Sequence, residues 1–517
     1  MRTRVAVVGA GPVGTTIANH LGRFGVETLL IDRSESIVDY PRAIGMDDEC
    51  LRSMQGIGLH EQVVAELVQN VPLRFFDAQG RCFADIRPST REFGWFRRNI
   101  FMQPLLERTL RAGLDRYPHV SLLSGHEVTG LTQDDGGVDL DVMRAGGPAR
   151  LRADYVVAAD GGRSRVRDLL GIPLEGATHP RKWVVIDAEG DPGDAVYTGL
   201  FCHPRRPYVC AHLPRGFRRW EFMLFPGEDA QEMLHPDRVR ALLAHHVPDP
   251  AAVHVVRARV YTHHSRVAST FVRGRVALAG DAAHLMPPWA GQGMNTGIRD
   301  ATNLAWKLAA IAGGRAAPAL LDTYDRERRD HARAMTGLST TLGRLLAPAH
   351  PFAARLRDTG FRAAGRLPGV KDWVLQMRFK PMPCYRDVLS DGTDPAVGRM
   401  FPQPLVEAPS GDVHRLDEDL GDWFSVIGYN QDPRAALTDE NQKYLAGLDT
   451  RFVTVTPSRS RFPGAGVEDV ESTLARWFEG RPPVALLRPD RYLAALTTPA
   501  GLNTVVTRLR TTLGEPS

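Results

Sequence analysis

The sequence lacks several features that would take it out of the class of ordinary globular proteins. No apolar run approaches the ~20 residues that a membrane-spanning helix needs, so no membrane partner is expected. The N-terminus passes directly into a patterned strand and shows no apolar stretch ending at a small-residue cleavage site. Cytoplasmic localisation is therefore the expectation.

The chain also has few cysteines and a small net charge. The five cysteines are scattered, with no CxxC pair and no cysteine/histidine cluster at metal-ligand spacing, so no metal site is expected. The 64 Lys+Arg and 60 Asp+Glu leave a net charge of +4 without a basic stripe, which argues against nucleic acid as a partner. The 517 residues suffice for roughly two to four domains.

The first motif is a glycine turn between a predicted strand and a predicted helix. The apolar run at residues 5–8 leads into GAGPVG, whose glycines are Gly9, Gly11 and Gly14. A second apolar run at residues 28–31 ends at Asp32, near the ~20-residue offset of a ribose-binding acid. The pattern predicts a dinucleotide site. Arg33 reads either as a 2′-phosphate contact for NADP or as a solvated residue.

Two further turns follow predicted strands. In AADGGRSRVR, Asp160 and Arg167 belong to a tight turn that, read alone, is ordinary loop punctuation. In VALAGDAAHLMPPWAGQGMN, Gly280 and Asp281 stand at the carboxyl end of a buried strand, the edge where open α/β sheets bind ligands. The later glycines of this stretch, Gly291 and Gly293, stand at the start of a predicted helix. The unpaired backbone amides of that helix start can bind a group that carries or develops negative charge. A reduced flavin has such a group at its pyrimidine edge.

With these three motifs, the chain resembles the FAD-dependent aromatic hydroxylases. Within that group it is most similar to the 3-(3-hydroxyphenyl)propanoate hydroxylases, and the likeness runs from about residue 5 to residue 500. The stretches that carry this finer likeness are DYPRAIGMDDE, GRCFADIRP, EFGWFRRN, AADGGRSRVR, RRWEFMLFPGE, RVYTHH, MRFKPMP and LLRPDRYLAA.

The resemblance assigns a role to each matching position. The first three glycines would face the FAD pyrophosphate, Asp32 the adenosine ribose, and Asp281 the ribityl chain. The amides of Met294 and Asn295 would face the pyrimidine edge, and the Pro288 carbonyl would lie beside the flavin and the reacting ring. The remaining positions assigned to the cofactor are Arg33, Arg42, Gln103, Asp160, Arg167, Gly280, Gly291 and Gly293. Without the resemblance, Arg42 and Gln103 read as a surface arginine and a helix-start glutamine.

The chemistry implied by the resemblance is hydroxylation of a phenolic ring. NADH or NADPH would reduce the flavin, and O2 would form a C(4a)-hydroperoxyflavin that transfers hydroxyl to the ring. A group that takes the phenol proton is then needed, and Tyr208 or His212 on a predicted strand is a candidate; the alternative for both is a half-buried sheet surface. Trp220 and Trp289 line an aromatic pocket or belong to the core. His284 is expected to be structural.

The predicted fold is α/β, a Rossmann-like FAD-binding domain interrupted by a β-sheet substrate domain. The expected segments are 1–172 and 271–395 for FAD binding, 173–270 for the substrate sheet, and 396–517 for a thioredoxin-like C-terminal domain that lacks CxxC. The favoured substrate is 3-(3-hydroxyphenyl)propanoate. A phenolic or hydroxypyridine secondary metabolite is the alternative, and a non-catalytic flavin-binding redox sensor is a third. The oligomeric state is open, with a homodimer as one option.

Overall fold

The computed structural model describes residues 1–190, 196–203, 206–346, 351–364, 367–386, 394–457 and 466–514. Its strands are β1 Arg2–Val8, β2 Thr28–Ile31, β3 Gly45–Met46, β4 Val68–Gln69, β5 Leu73–Phe76, β6 Cys82–Ile86, β7 Asn99–Ile100, β8 Val120–Leu123, β9 Glu127–Asp134, β10 Gly137–Arg144, β11 Gly147–Ala158, β12 Leu174–Glu189, β13 Thr198–Phe201, β14 Tyr208–His212, β15 Arg218–Met223, β16 His254–Ala268, β17 Val272–Arg273, β18 Val276–Leu278, β19 His284–Leu285, β20 Leu405–Glu407, β21 Val413–Arg415, β22 Ser425–Tyr429, β23 Arg451–Pro457, β24 Val467–Asp469, β25 Val484–Leu487 and β26 Leu493–Thr497.

Helices pack against each of the three large sheets. They are α1 Pro12–Arg23, α2 Asp48–Gly56, α3 His60–Ala65, α4 Gln103–Ala112, α5 Arg165–Leu169, α6 Pro236–Leu243, α7 Gly293–Ala312, α8 Asp322–Leu346, α9 Pro351–Ala364, α10 Pro368–Leu375, α11 Asp439–Gly447, α12 Thr473–Phe478 and α13 Leu502–Leu513. Of these, α1 packs against the first sheet, α8 and α9 against the second, and α13 against the third. No helix within the described ranges combines the length and the apolar character needed to cross a membrane.

The first sheet is the predicted Rossmann-like sheet. Its parallel part has the order β18-β11-β1-β2-β8, and β17, β10 and β9 extend it with antiparallel pairings. β1 and β2 are almost entirely buried because helices pack on the sheet, which explains their continuous apolar runs. The carboxyl ends of β1, β2, β11 and β18 therefore meet at one edge, where parallel α/β sheets bind ligands.

The second sheet covers that edge and has the order β19-β16-β12-β15-β14-β13-β5-β6. Most of it falls in the segment predicted to form the substrate domain. However, β5 and β6 come from residues before 173, and β5 joins β13 in parallel, with Leu73 opposite Thr198. At the other edge, β19 comes from residues after 270 and pairs with β16. The substrate sheet is thus assembled from three separate parts of the chain, and no local sequence signal predicts these pairings.

The third sheet, β21-β20-β24-β23-β22-β25-β26, forms the C-terminal domain. Its thioredoxin-like shape stays a prediction. Buried ion pairs tie the domain to the rest of the chain: Arg488 Nη1 lies 2.7 Å from Glu327 Oε1 on α8, and Arg52 Nη2 on α2 lies 2.7 Å from Asp417 Oδ1. Because these charges are removed from water, their geometry fixes the position of the domain on the helices that it contacts.

Candidate active site

A cavity of about 550 Å³ lies between the first and second sheets. Its walls contain most of the residues that the sequence assigned to the cofactor: Gly9, Gly11, Asp32, Arg33, Arg42, Gln103, Asp160, Asp281, Pro288, Gly291, Gly293, Met294 and Asn295. Gly14, Arg167, Gly280, Tyr208 and His212 are not in the lining. The structure therefore brings three sequence-distant motifs to one cavity and places five of the predicted residues behind its walls or elsewhere.

The three glycines of the first turn have three different roles. Gly9 has φ +105°, and a Cβ there would lie 2.3 Å from the Ala159 carbonyl oxygen. A Cβ on Gly14 would lie 1.9 Å from the Gly9 carbonyl oxygen, so Gly14 serves close packing of α1 and does not face the cavity. A Cβ on Gly11 would meet no protein atom within 4 Å. Gly11 alone of the three leaves open space beside the free amides at the α1 N-terminus.

Asp32 stabilises this turn from the end of β2. Its Oδ2 accepts a hydrogen bond of 2.6 Å from the Ala10 amide, and its Oδ1 accepts one of 2.7 Å from the Ser34 amide. The carboxylate remains part of the cavity wall. It can therefore accept hydrogen bonds from a ribose while it fixes the backbone that faces the pyrophosphate.

Gln103, at the start of α4, positions the loop that carries Arg42. Its Oε1 accepts from the Arg42 amide at 3.2 Å and from the Ala43 amide at 2.9 Å, and its Nε2 donates to Glu107 at 2.8 Å. The Arg42 side chain donates to the Tyr40 hydroxyl at 3.2 Å. The Gln103 amide thus has internal partners at both ends, which indicates that it shapes the wall beside the cofactor site.

The two charged residues of the middle motif, Asp160 and Arg167, have different positions relative to the cavity. Asp160 lines the cavity, its Oδ2 accepts from the Val166 amide at 3.2 Å, and its buried Oδ1 has no hydrogen-bond partner among the described residues. Burial raises the pKa of Asp160. Arg167 is buried behind the turn and donates to the carbonyls of Gly162 and Ala282, at 3.3 and 3.2 Å. Arg167 therefore joins the middle motif to the third one and does not face the ligand.

The third motif is anchored by a buried acid on α7. Asp300 Oδ2 accepts from the Gly280 amide at 3.0 Å and lies 2.7 Å from His284 Nε2, while Oδ1 accepts from Arg328 Nε at 2.8 Å. His284 is thus a structural partner, as the sequence suggested. Gly280 has φ +60° and packs against Val13, so it supports the turn from behind.

Asp281 lines the cavity and keeps a large exposed surface, although protein surrounds its carboxyl group. Surrounding protein raises the pKa of its carboxyl, while the His284 and Arg42 charges oppose that rise. Beyond it, α7 begins after Gln292, whose side chain makes no capping hydrogen bond. The first-turn amides of α7, which include those of Met294 and Asn295, therefore face the cavity without helical partners.

The Asn295 side chain closes this end of the cavity. Its Nδ2 donates to the Gly45 and Gly291 carbonyls at 3.1 and 2.7 Å, and its Oδ1 accepts from the Asp47 amide at 3.1 Å. These bonds hold the loop before α2 against the glycine-rich turn before α7. Asn295 thus contributes through its side chain as well as through its amide.

A buried charge cluster beside this loop was missed by the sequence reading. Arg299 Nε donates to Glu49 at 2.8 Å, its Nη2 donates to Asp47, and Lys380 Nζ donates to both acids at 2.8 and 3.1 Å. Oxygens of Asp47, Asp48 and Glu49 lie within 4.8 Å of one another, a spacing that can hold a metal, but two of the three carboxylates already bind these cations. In the sequence, the acidic run MDDE at residues 46–49 indicates only the start of a helix, so it does not predict this charge cluster.

The other end of the cavity is aromatic and apolar. The rings of Trp183 and His263 stack with centroids 5.8 Å apart, and Trp289 meets Trp183 edge-on at 5.0 Å. Burial, followed by the charges of His179 and His264, lowers the pKa of His263 to about 4, so the ring is neutral at pH 7. Trp220, in contrast, is 1% exposed and belongs to the core of the second sheet.

The structure does not bring Tyr208 and His212 to this chamber. Their strand turns Val209 toward the cavity, and the period of two directs Tyr208, Cys210 and His212 to the opposite face. Tyr208 stacks on Phe201 with centroids 4.3 Å apart and contacts His246, and burial raises its pKa. The proton-relay hypothesis for these two residues therefore lacks the required geometry.

The residues of the cavity fit FAD. Gly11 leaves open space at one helix N-terminus, and a second helix start without a side-chain cap lies at α7. Asp160 has a buried oxygen that bonds to none of the residues with a described position. Anionic phosphates and an electron-rich ring edge are the groups that helix N-termini bind. The fold and the site thus define a flavoprotein of the FAD-binding class.

Comparisons with known proteins identify the family. Residues 2–339 match the model of an FAD binding domain, and residues 398–512 match the HcaD C-terminal domain. The chain is 53% identical to 3-(3-hydroxy-phenyl)propionate/3-hydroxycinnamic acid hydroxylase 2 of Burkholderia vietnamiensis, over 98% of this chain and 96% of the relative. The chain belongs to the FAD-dependent aromatic hydroxylases. It is an FAD-dependent aromatic monooxygenase.

Solved structures agree with this assignment. The flavin-dependent monooxygenase PieE, in complex with FAD and substrate, superposes with a TM-score of 0.83 over the full length of both chains at 24% identity, a likeness of fold. OxyS anhydrotetracycline hydroxylase from Streptomyces rimosus superposes with a TM-score of 0.79, also over both full chains, at 27% identity. The fold is thus shared with these two flavin enzymes over the full length of the chain.

The different roles of Gly14 and Gly11 can be tested with the same substitution. Gly14→Ala places a methyl group against the Gly9 carbonyl, so we expect it to lower the free energy of unfolding by about 1–3 kcal/mol or more. Gly11→Ala has space within the protein, so the apoprotein should keep its melting temperature while FAD binds more weakly. Thermal unfolding of the apoproteins and FAD titration measure both effects. Equal melting temperatures for the two variants would contradict the packing role of Gly14.

Asp48 predicts a pH dependence of stability. Burial, together with the charges of Asp47 and Glu49, raises its pKa from 3.8 to about 6, so the stability that its neutral form contributes below pH 3.8 is lost as pH rises through 6. Asp48→Asn cannot ionise. Between pH 4 and 7, the wild type should therefore lose up to about 3 kcal/mol relative to this variant. Denaturant unfolding of both proteins between pH 4 and 7 measures this difference. A free energy of unfolding that changes equally with pH in the two proteins would refute the prediction.

Proposed function

We propose that this monooxygenase hydroxylates a phenolic carboxylic acid of the 3-(3-hydroxyphenyl)propanoate type, with NADH or NADPH as reductant and O2 as oxidant. One observation carries the proposal: a single cavity joins the three cofactor motifs to a chamber walled by Trp183, His263 and Trp289. The similarity to hydroxylases named for this substrate supports it. Cytoplasmic localisation and a homodimer stay predictions.

We assign the cofactor residues as follows. Gly9, Gly11 and the α1 amides hold the pyrophosphate, and Asp32 holds the adenosine ribose. Asp281 accepts hydrogen bonds from the ribityl hydroxyls, and the amides of Met294 and Asn295 face the pyrimidine edge. Arg42, beside Asp281, adds positive charge near the phosphates. These roles rest on the cavity lining and on the chemistry of the donors.

Bound FAD supplies the redox and oxygen chemistry, and the protein supplies positioning and exclusion of water. Pro288 and Trp289 border the cavity just before the α7 amides, so they lie where the cofactor end meets the aromatic chamber. The neutral His263 ring and the two tryptophans offer flat apolar surfaces on which a phenol ring can stack. Leu73, Leu200 and Val209 extend that apolar wall.

A second candidate is the hydroxylation of a larger phenolic secondary metabolite. The observation that favours it is the likeness to OxyS, which is named as an anhydrotetracycline hydroxylase and matches this chain over its full length. The lower identity, 27% against 53%, makes it the weaker candidate. The two substrates differ in size and charge, so a direct comparison separates them.

The function is tested with the purified holoprotein. Oxidation of NADH and of NADPH is followed with and without 3-(3-hydroxyphenyl)propanoate, and the product is analysed by mass. We expect the aromatic acid to stimulate oxidation severalfold and to yield a product heavier by one oxygen atom. A flavin-loaded protein that this acid does not stimulate would refute the substrate assignment and favour polycyclic phenols.

The role of Asp281 is tested separately from turnover. Asp281→Ala removes the acceptor for the ribityl hydroxyls, so FAD should bind roughly 10- to 100-fold more weakly while the apoprotein stays folded. Asp141→Ala, at an exposed carboxylate of β10, is the matched control and should bind FAD normally. Equilibrium titration with FAD gives both affinities. Unchanged FAD affinity in Asp281→Ala would exclude this assignment.

A further inference from the structure

Arg98 is an unusual cation in the wall of the cavity. Its Nε donates to the Val71 carbonyl at 3.1 Å, and the backbone carbonyl of Arg98 in turn accepts from the Val71 amide at 3.1 Å. Among the described residues, no carboxylate lies within ion-pair distance of its guanidinium. Burial alone lowers the pKa of Arg98 to about 10. The side chain is therefore a desolvated positive charge in the cavity wall, without a counter-ion in the part of the chain that the structure describes.

Two other arginines that line the cavity have acidic partners. Arg97 Nη2 donates to Glu92 at 2.8 Å, and its Nε lies 3.4 Å from Asp48. Arg219 makes two hydrogen bonds to Asp187, at 2.7 and 3.0 Å. Both are thus engaged with acids of the protein. A buried charge is costly unless it is paired, so the free guanidinium of Arg98 favours an anionic ligand.

A second polar group lies beside it. Thr198, the first residue of β13, is 7% exposed and lines the cavity, and its Oγ1 has no hydrogen-bond partner among the described residues. The Thr198 amide donates to the Pro72 carbonyl at 2.9 Å, while Arg98 is bound to the adjacent carbonyl of Val71. Residues 71–72 thus bind both Arg98 and the start of β13, which places the Arg98 side chain and Thr198 beside the same short segment of the wall.

The surroundings match a ligand with a charged end and an apolar body. Thr198 and Leu200 lie on the same face of β13, opposite Leu73 on β5 and Val209 on β14, and all four line the cavity. This apolar strip belongs to the chamber that also contains the tryptophans. A carboxylate can accept two hydrogen bonds from a guanidinium and one from a hydroxyl, and a short alkyl chain suits the strip.

We propose that Arg98 and Thr198 form the subsite that binds the carboxylate of the substrate side chain and thereby selects aryl alkanoates over neutral phenols. The proposal rests on the proposed function, because it names how the acid of that substrate class is recognised. It also gives a purpose to EFGWFRRN, a stretch that the cofactor site does not use.

The test measures binding without turnover. The holoprotein is titrated with 3-phenylpropanoate and with its uncharged amide, 3-phenylpropanamide, and the absorbance change of the bound flavin gives each Kd. The wild type should bind the acid roughly 10- to 100-fold more tightly than the amide. Arg98→Met should lose that preference by weakening acid binding while the Kd of the amide changes less than about threefold, since only the anion needs the guanidinium.

Three further variants make the result specific. Thr198→Val should weaken acid binding about fivefold and leave amide binding unchanged, and it tests the subsite independently if Arg98→Met is poorly folded. Arg98→Lys should restore part of the preference. Arg87→Met, at a surface arginine paired with Asp85, should behave like the wild type.

Several outcomes would overturn the proposal. These are a wild type that binds acid and amide equally or binds neither, an Arg98→Met protein that keeps the preference, and a loss of FAD from Arg98→Met, which would assign the arginine to the cofactor. Failure of the proposed function is distinguishable: a wild type that prefers the acid but forms no oxygenated product from 3-(3-hydroxyphenyl)propanoate would retain the subsite and lose the substrate assignment.

Discussion

The buried carboxylate of Asp300 is the interaction on which the geometry of the active site depends. It accepts from the Gly280 amide, pairs with His284 and binds Arg328, so it joins the turn after β18 to two long helices. Burial disfavours its charge, yet the nearby His284 and Arg328 charges hold its pKa below the ordinary value. Asp281 and the free amides of α7 occupy their positions because this network fixes the backbone on both sides of them.

A second set of buried charges fixes the opposite wall. Arg299 and Lys380 hold Asp47 and Glu49, and Asn295 binds the same loop through its side-chain amide. These bonds therefore hold the loop before α2 against the glycine-rich turn before α7. A rigid cavity of this kind keeps its hydrogen-bond donors oriented before the cofactor and substrate bind, which reduces the cost of reorganisation during reaction.

The C-terminal domain contributes to this rigidity from outside the cavity. Arg488 and Lys307 both bind Glu327 on α8, and Asn303 of α7 donates to Asp490 at 3.1 Å. The domain thus braces the two helices that carry the Asp300 network. These buried bonds connect the C-terminal domain to the helices behind the flavin site.

The sequence by itself determined the local parts of this protein: the turn at Gly9, the acid at Asp32 and the helix start after Gly280-Asp281, because short-range spacing dictates each of them. Only the tertiary structure decided which side chains line the cavity. It turned Val209 inward and Tyr208 outward, placed Gly14 behind the turn, and left Arg98 without an acid among the described residues. Those outcomes depend on which sheets pack together and which distant charges meet, and a linear pattern of residues does not contain that information.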